Sequence, residues 1–186
     1  AELNMDDKYY ICLPLYHGNG GVVAVSAVFN SGCSMVLREK FSATQFLNDI
    51  RKYECTAMIY IGELWRYIYN QPATEYDRDN KLRVIIGNGL RSDIWTKIVE
   101  RFGIERVVEH YGQTEMIAAH PMMNCYNKVA SCGFIPPEIW HNQNDEKLVK
   151  FDIEADQVYR NADGFCEVAD IGEPGEDLVH LPNGMY

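Results

Sequence analysis

Hydrophobic positions in this chain fall in short blocks whose period changes as they recur. "YYICLPL" (Tyr9 to Leu15) is a β-rich run stopped by "HGNGG". Val22 to Phe29 is a small, apolar stretch expected to form a buried helix before "CSMVL" returns to strand. "FSATQFLNDIRKY" then sets Phe46, Ile50 and Tyr53 at helical spacing behind Ser42 as candidate N-cap, and "TAMIYI" is the next strand. "RVIIGNGL" runs from strand into a glycine turn. "SDIWTKIVERFG" carries Ile94, Trp95, Ile98, Val99 and Phe102 on one helical face, between Ser92 as cap and Gly103 as stop, and "RVVEHYG" closes the series. Strands separated by helices build βαβ units, so the pattern predicts an α/β fold, a mostly parallel sheet covered by helices. From about Cys125 it gives way to short β-like pieces ("VASCGF", "KLVKFDI", "GFCEVA") broken by Asn, Asp, Pro and Gly, which predicts a C-terminal antiparallel β segment. The expected division is residues 1–124 as an α/β subdomain with the candidate site turns, and residues 125–186 as a β-rich segment of the same domain, cut short.

Composition narrows the function classes. A chain of 186 residues, 47% of them hydrophobic, is long enough to bury a core. A net charge of −10, with 17 basic residues scattered among 27 acids, argues against a nucleic-acid surface. The longest strongly apolar stretch falls well short of the roughly 20 residues that span a bilayer. Six cysteines (Cys12, Cys33, Cys55, Cys125, Cys132 and Cys166) form no C-x-x-C pair and no cluster at zinc spacing, which points to reduced thiols in an intracellular protein. The histidines show no H-x-x-x-H spacing, and no Gly-x-Ser-x-Gly elbow is present, so a metal-dependent or serine hydrolase has no support.

In parallel sheets ligands sit beyond the carboxyl ends of the strands, and three turns occupy that place: His17 to Gly21, Gly87 to Arg91 and Tyr111 to Glu115. Glycines let backbone approach a ligand or take positive φ, although a short motif such as "GNGL" by itself more often marks an ordinary strand-to-helix turn. "HGNGG" lacks the Lys-Ser/Thr ending of a P-loop, and His17 reads as a titrating group, a pocket wall or a structural residue. "YGQTE" offers a ring that stacks on a base, a hydroxyl that donates to phosphate and a carboxylate that holds a cation, each with an ordinary structural alternative. Their coincidence at one strand end raises a nucleotide site as the candidate.

"YICLPLYHGNG", "FSATQF", "YIGELWRYIYNQP", "GNGLRSDIW", "RFGI", "EHYGQTE", "CGF" and "GEPGE" occur in an order and at spacings that resemble the adenylate-forming (acyl-CoA synthetase) superfamily, nearest to its very-long-chain acyl-CoA synthetase and fatty acid transport protein branch. The resemblance runs from about Tyr9 to Glu176 and implies part of the large N-terminal domain of such an enzyme. It implies a ligase using ATP, Mg2+ and coenzyme A: a long- or very-long-chain fatty carboxylate attacks the α-phosphate of ATP to give acyl-AMP, and coenzyme A then displaces AMP. On the matching positions, Tyr111 would lie against adenine, flanked by Gly112 and Gln113, with Thr114 on the α-phosphate and Glu115 on the metal. Gly87, Asn88 and Gly89 would line the adenine and acyl pocket with their backbone. His17 would stand near the reacting carboxylate and the coenzyme A entrance, and Gly133 and Phe134 near the acyl pocket.

The chain also departs from that pattern. No Ser/Thr/Gly-rich phosphate loop ending in Pro-Lys precedes Tyr9, no Thr-Gly-Asp follows "GEPGE", no lid domain with its lysine is present, and Met116 replaces a small residue. The expectation is an internal segment of a ligase, inactive alone, whose partners are fatty acid, ATP, coenzyme A and the missing parts of the parent chain. By resemblance the parent is membrane-associated, at the endoplasmic reticulum or peroxisome. The alternatives are a ligase for a shorter, carnitine-type or aryl acid, and a non-catalytic module that binds nucleotide or fatty acid.

Overall fold

The computed structural model describes residues 2–112, 122–133 and 146–179. The chain divides into two compact units, one formed by residues 1–116 and 120–135, the other by residues 117–119 and 136–186. The first unit holds β1 (Lys8–Ile11), β2 (Ser34–Leu37), β3 (Ala57–Ile61), β4 (Val84–Asn88), β5 (Arg106–Tyr111) and β6 (Met122–Asn124), in the sheet order β2-β1-β3-β4-β5-β6. All pairings among β1 to β5 are parallel; β6 is antiparallel to β5. The crossovers are a π-helix (Gly18–Ala24) continuing into α1 (Val25–Ser31), then α2 (Phe46–Tyr53), α3 (Gly62–Tyr69) and α4 (Ser92–Phe102). This is the mostly parallel, helix-covered α/β sheet that the hydrophobic pattern implies.

Alternation along the strands divides the core into two layers. Tyr10, Met58, Tyr60, Ile85 and Val107 face α2, α3 and α4, where Phe46, Ile50, Trp65, Ile98 and Phe102 meet them. Phe46 and Trp65 pack edge to face, ring centroids 5.5 Å apart, and Trp65 lies 5.6 Å from Phe102. On the other face Tyr9, Ile11, Ile59, Val84, Ile86 and Val108 pack on Ala24, with Val23, Ala27 and Val28 partly buried.

Several local expectations give way to tertiary structure. The stretch from Val22 to Phe29 is helical but not a buried helix: no residue of α1 is buried, and Phe29 is 83% exposed. Ala24, at the end of the π-helix, supplies the buried contact instead. Ser42 does not cap α2; its hydroxyl bonds Thr44 Oγ1 at 3.1 Å, and Gln45 stands at the N-cap. Ser92 is the first residue of α4, with Arg91 before it. Gly103 does close α4, at φ 72°. The helix α3 answers to no part of the hydrophobic reading above.

The second unit is an antiparallel sheet, order β8-β7-β9, of β7 (Glu146–Asp152), β8 (Gln157–Val158) and β9 (Gly175–Val179). "KLVKFDI" is a strand as expected. "GFCEVA" makes only isolated bridges, Val149 with Val168 and Arg160 with Cys166, and the described part of "VASCGF" is turn and coil.

Candidate functional site

The carboxyl ends of β3, β4 and β5 lie side by side, with Tyr60 opposite Gly87 and Gly87 opposite Glu109 in register. The π-helix after β1 reaches the same edge. Asn19, buried on it, donates through Nδ2 to Asn88 Oδ1 at 2.6 Å, and its Oδ1 lies 3.3 Å from His110 Nε2. One chain of side-chain bonds therefore ties the "HGNGG" turn, the "GNGL" turn and the end of β5. Because Asn19 spends its amide nitrogen on Asn88, its oxygen accepts, and His110 carries its proton on Nε2. Burial holds the His110 imidazole below its ordinary value of 6.5, and its Nδ1 is buried without a partner. The ring is neutral.

On the opposite face of β5, Glu109 is 2% exposed. One carboxylate oxygen accepts from the Leu90 amide at 2.9 Å, the other from the Tyr60 hydroxyl, and the Gly89 amide adds a further bond. Burial raises the pKa of Glu109, against the opposing pull of these donors. Burial, reinforced by the facing carboxylate, pushes the Tyr60 hydroxyl well above 10, so it is a neutral donor.

Two glycines here answer to internal packing. A Cβ on Gly87 would fall 2.2 Å from the Tyr60 carbonyl oxygen, and one on Gly62 would fall 1.6 Å from that of Gly89. Gly89 itself sits at φ 77°. The turn is thus pressed against α3 on one side and held by Glu109 on the other.

Of the residues singled out from sequence, Gly87, Asn88, Gly89, Tyr111 and Gly112 share this edge. The Tyr111 ring is 42% exposed, and a Cβ on Gly112 would meet nothing within 4 Å, so the end of β5 offers an open aromatic face. His17 is exposed at the start of the π-helix, with extended backbone and no capping bond from its side chain. Gly133 accepts from Ser131 Oγ at 2.5 Å in the turn after β6. Gln113, Thr114, Glu115 and Phe134 lie outside the described residues. Among the described residues no three His, Cys, Asp or Glu side chains are grouped to hold a metal ion, and no helix is long and apolar enough to cross a membrane. All six cysteines are free.

Residues 1–148 match the family of AMP-binding enzymes. The chain belongs to that family. Long-chain fatty acid transport protein 1 of Homo sapiens is 41% identical over 172 residues, which cover 91% of this chain and 26% of that protein. Medium/long-chain-fatty-acid–CoA ligase FadD6 of Mycobacterium tuberculosis is 40% identical over 174 residues, covering 94% of this chain and 28% of the ligase. This AMP-binding chain thus spans about a quarter of the length of the curated relatives it matches. Its fold also matches o-succinylbenzoate coenzyme A synthetase (MenE) of Bacillus subtilis in complex with AMP, at a TM-score of 0.62 and 20% identity, over 95% of this chain and 32% of that one.

Within this AMP-binding fold, sequence reading missed Asn19, Tyr60, Glu109 and His110. A carboxylate inside the β-branched run "RVVEHY" was the available signal, since a charge there must find partners.

Proposed function

We propose that this chain supplies the adenine-facing and acyl-facing turns of an ATP-dependent fatty acid–CoA ligase. Long-chain or very-long-chain carboxylate attacks the α-phosphate of ATP, pyrophosphate leaves, and the thiol of coenzyme A displaces AMP from the acyl-AMP. The observation that carries this reading is the hydrogen-bonded meeting of the three turns through His110, Asn19 and Asn88. It joins the site suited to a nucleotide to the turn bearing His17, and the names of the relatives give the acid its class.

Tyr111 stacks on the purine, and the backbone of Gly87, Asn88 and Gly89 shapes the wall beside it. Gly112 leaves room for the nucleotide, with Gln113 next to it. Thr114 would donate to the α-phosphate and Glu115 would hold Mg2+, whose charge would screen the repulsion between carboxylate and triphosphate. His17 stands at the carboxylate and the coenzyme A entrance, and Gly133 and Phe134 border the acyl chain. The reaction is that of the whole ligase; these residues are not proposed to turn over alone, and membrane association belongs to other parts of the protein.

The test is the full-length protein with ATP, fatty acids of graded length and hydroxylamine. Acyl hydroxamate and pyrophosphate should form, most rapidly with long chains. Tyr111→Ala should raise the KM for ATP about tenfold, as expected for the loss of one base–aromatic stack. Preference for a short polar acid would overturn the chain-length assignment, and nucleotide binding without pyrophosphate release would leave a binding module.

A further inference from the structure

The glycine turn after β4 is the wall of the proposed nucleotide site, yet glycines give a turn freedom and no fixed shape. Something else must hold it. From below, α3 begins so close to the Gly89 carbonyl that even a methyl group on Gly62 would collide with it. From the β5 side, the two oxygens of Glu109 collect the Leu90 amide at 2.9 Å, the Gly89 amide and the Tyr60 hydroxyl. The three donors come from β3 and from the turn, and the acceptor from β5. The carboxylate is 2% exposed, so it faces its three donors and not solvent.

We propose that Glu109 is the positioning residue of the nucleotide turn: its carboxylate fixes the Gly89 and Leu90 amides so that Gly87–Gly89 presents one backbone shape to the purine. The proposal rests on the ligase reading. An ionised carboxylate is acceptor-only and suits three donors, whereas a Gln in its place must turn an NH2 group towards one of them. The same size with the wrong polarity releases part of the turn. Tyr60, whose ring also packs beneath Gly87, holds the carboxylate's second oxygen.

The experiment uses the full-length protein and its Glu109→Gln and Tyr60→Phe variants, with two readouts. Amide hydrogen exchange at Gly89 and Leu90 should accelerate about tenfold or more in Glu109→Gln, and less in Tyr60→Phe, in line with the loss of a bond to a charged group. The KM for ATP should rise about tenfold in Glu109→Gln, with the KM for fatty acid nearly unchanged. The same rise should occur with purine riboside triphosphate, which lacks the 6-amino group. A loss seen only with ATP would mean that the carboxylate contacts the base itself, and would overturn the proposal. Unchanged exchange at both amides would overturn it as well. If the unmodified protein does not turn over ATP, the ligase reading fails, while the exchange measurement still decides whether Glu109 holds the turn.

Discussion

Buried polar side chains set the character of the site, and each is legible from its solvation and partners. His110 is the plainest case. Its imidazole is neutral because burial penalises the cation, and Asn19 fixes the tautomer through an accepting oxygen. The folded pKa lies below 6.5, so as pH falls the unfolded chain takes up this proton first. Stability from this group is complete above 6.5 and declines as pH drops through it. Thermal denaturation between about pH 7 and pH 5 should therefore show a fall in Tm that is reduced in His110→Gln. An unaltered slope in the variant would assign the fall to other groups. The sequence shows a Glu and a His inside a β-branched run, but not that they point to opposite faces with Tyr60 and Asn19 waiting there. Those pairings join residues 49 and 91 positions apart, and only the sheet register creates them.

At the level of elements, hydrophobic period found β1 to β5, β7 and two of the helices, because burial on a fixed face is what the period records, whereas the short strands β6, β8 and β9 carried no such signal. Helix ends were less legible. Ser42 and Ser92 are good capping residues by type, yet the chain enters α2 and α4 at Gln45 and Arg91, where sheet geometry sets the crossover. Ser42→Ala should therefore change stability by less than about 0.5 kcal/mol in chemical denaturation, whereas the loss of a working cap costs about 1 kcal/mol. Gly103 is the contrasting position. It closes α4 at φ 72°, and a Cβ there would meet nothing within 4 Å. Gly103→Ala should cost about 1 kcal/mol from backbone strain alone, with no change in the core. The π-helix after β1 had no signal in the sequence. It carries Asn19 to the site edge, a placement that local propensity does not encode.

The net charge of −10 makes acid the informative perturbation of the whole molecule. Within the first unit, two buried carboxylates hold opposite chain segments through arginine. Burial raises the pKa of Asp7, but bonds from Arg83, the Thr56 hydroxyl and the Asn4 amide outweigh it and leave the carboxyl below its ordinary 3.8. Asp77 follows the same balance, with burial opposed by Arg101 at 2.6 Å and by Thr74. Both folded pKa values are depressed, so their stabilisation is present above 3.8 and is lost as pH falls through the folded values. Arg101 also donates to the Tyr69 and Pro72 carbonyls at 2.7 and 3.1 Å, so the Asp77 pair anchors the loop between α3 and β4. Asp77→Asn should be less stable at neutral pH by about 3–5 kcal/mol, the range for breaking a buried pair. Its stability curve should approach that of the unmodified protein only as pH falls through the depressed folded pKa, below the ordinary 3.8, where Asp77 becomes protonated in both states. Two parallel curves across that range would mean that the amide fills the site as well as the carboxylate, and that Arg101 holds the loop through its carbonyl bonds alone.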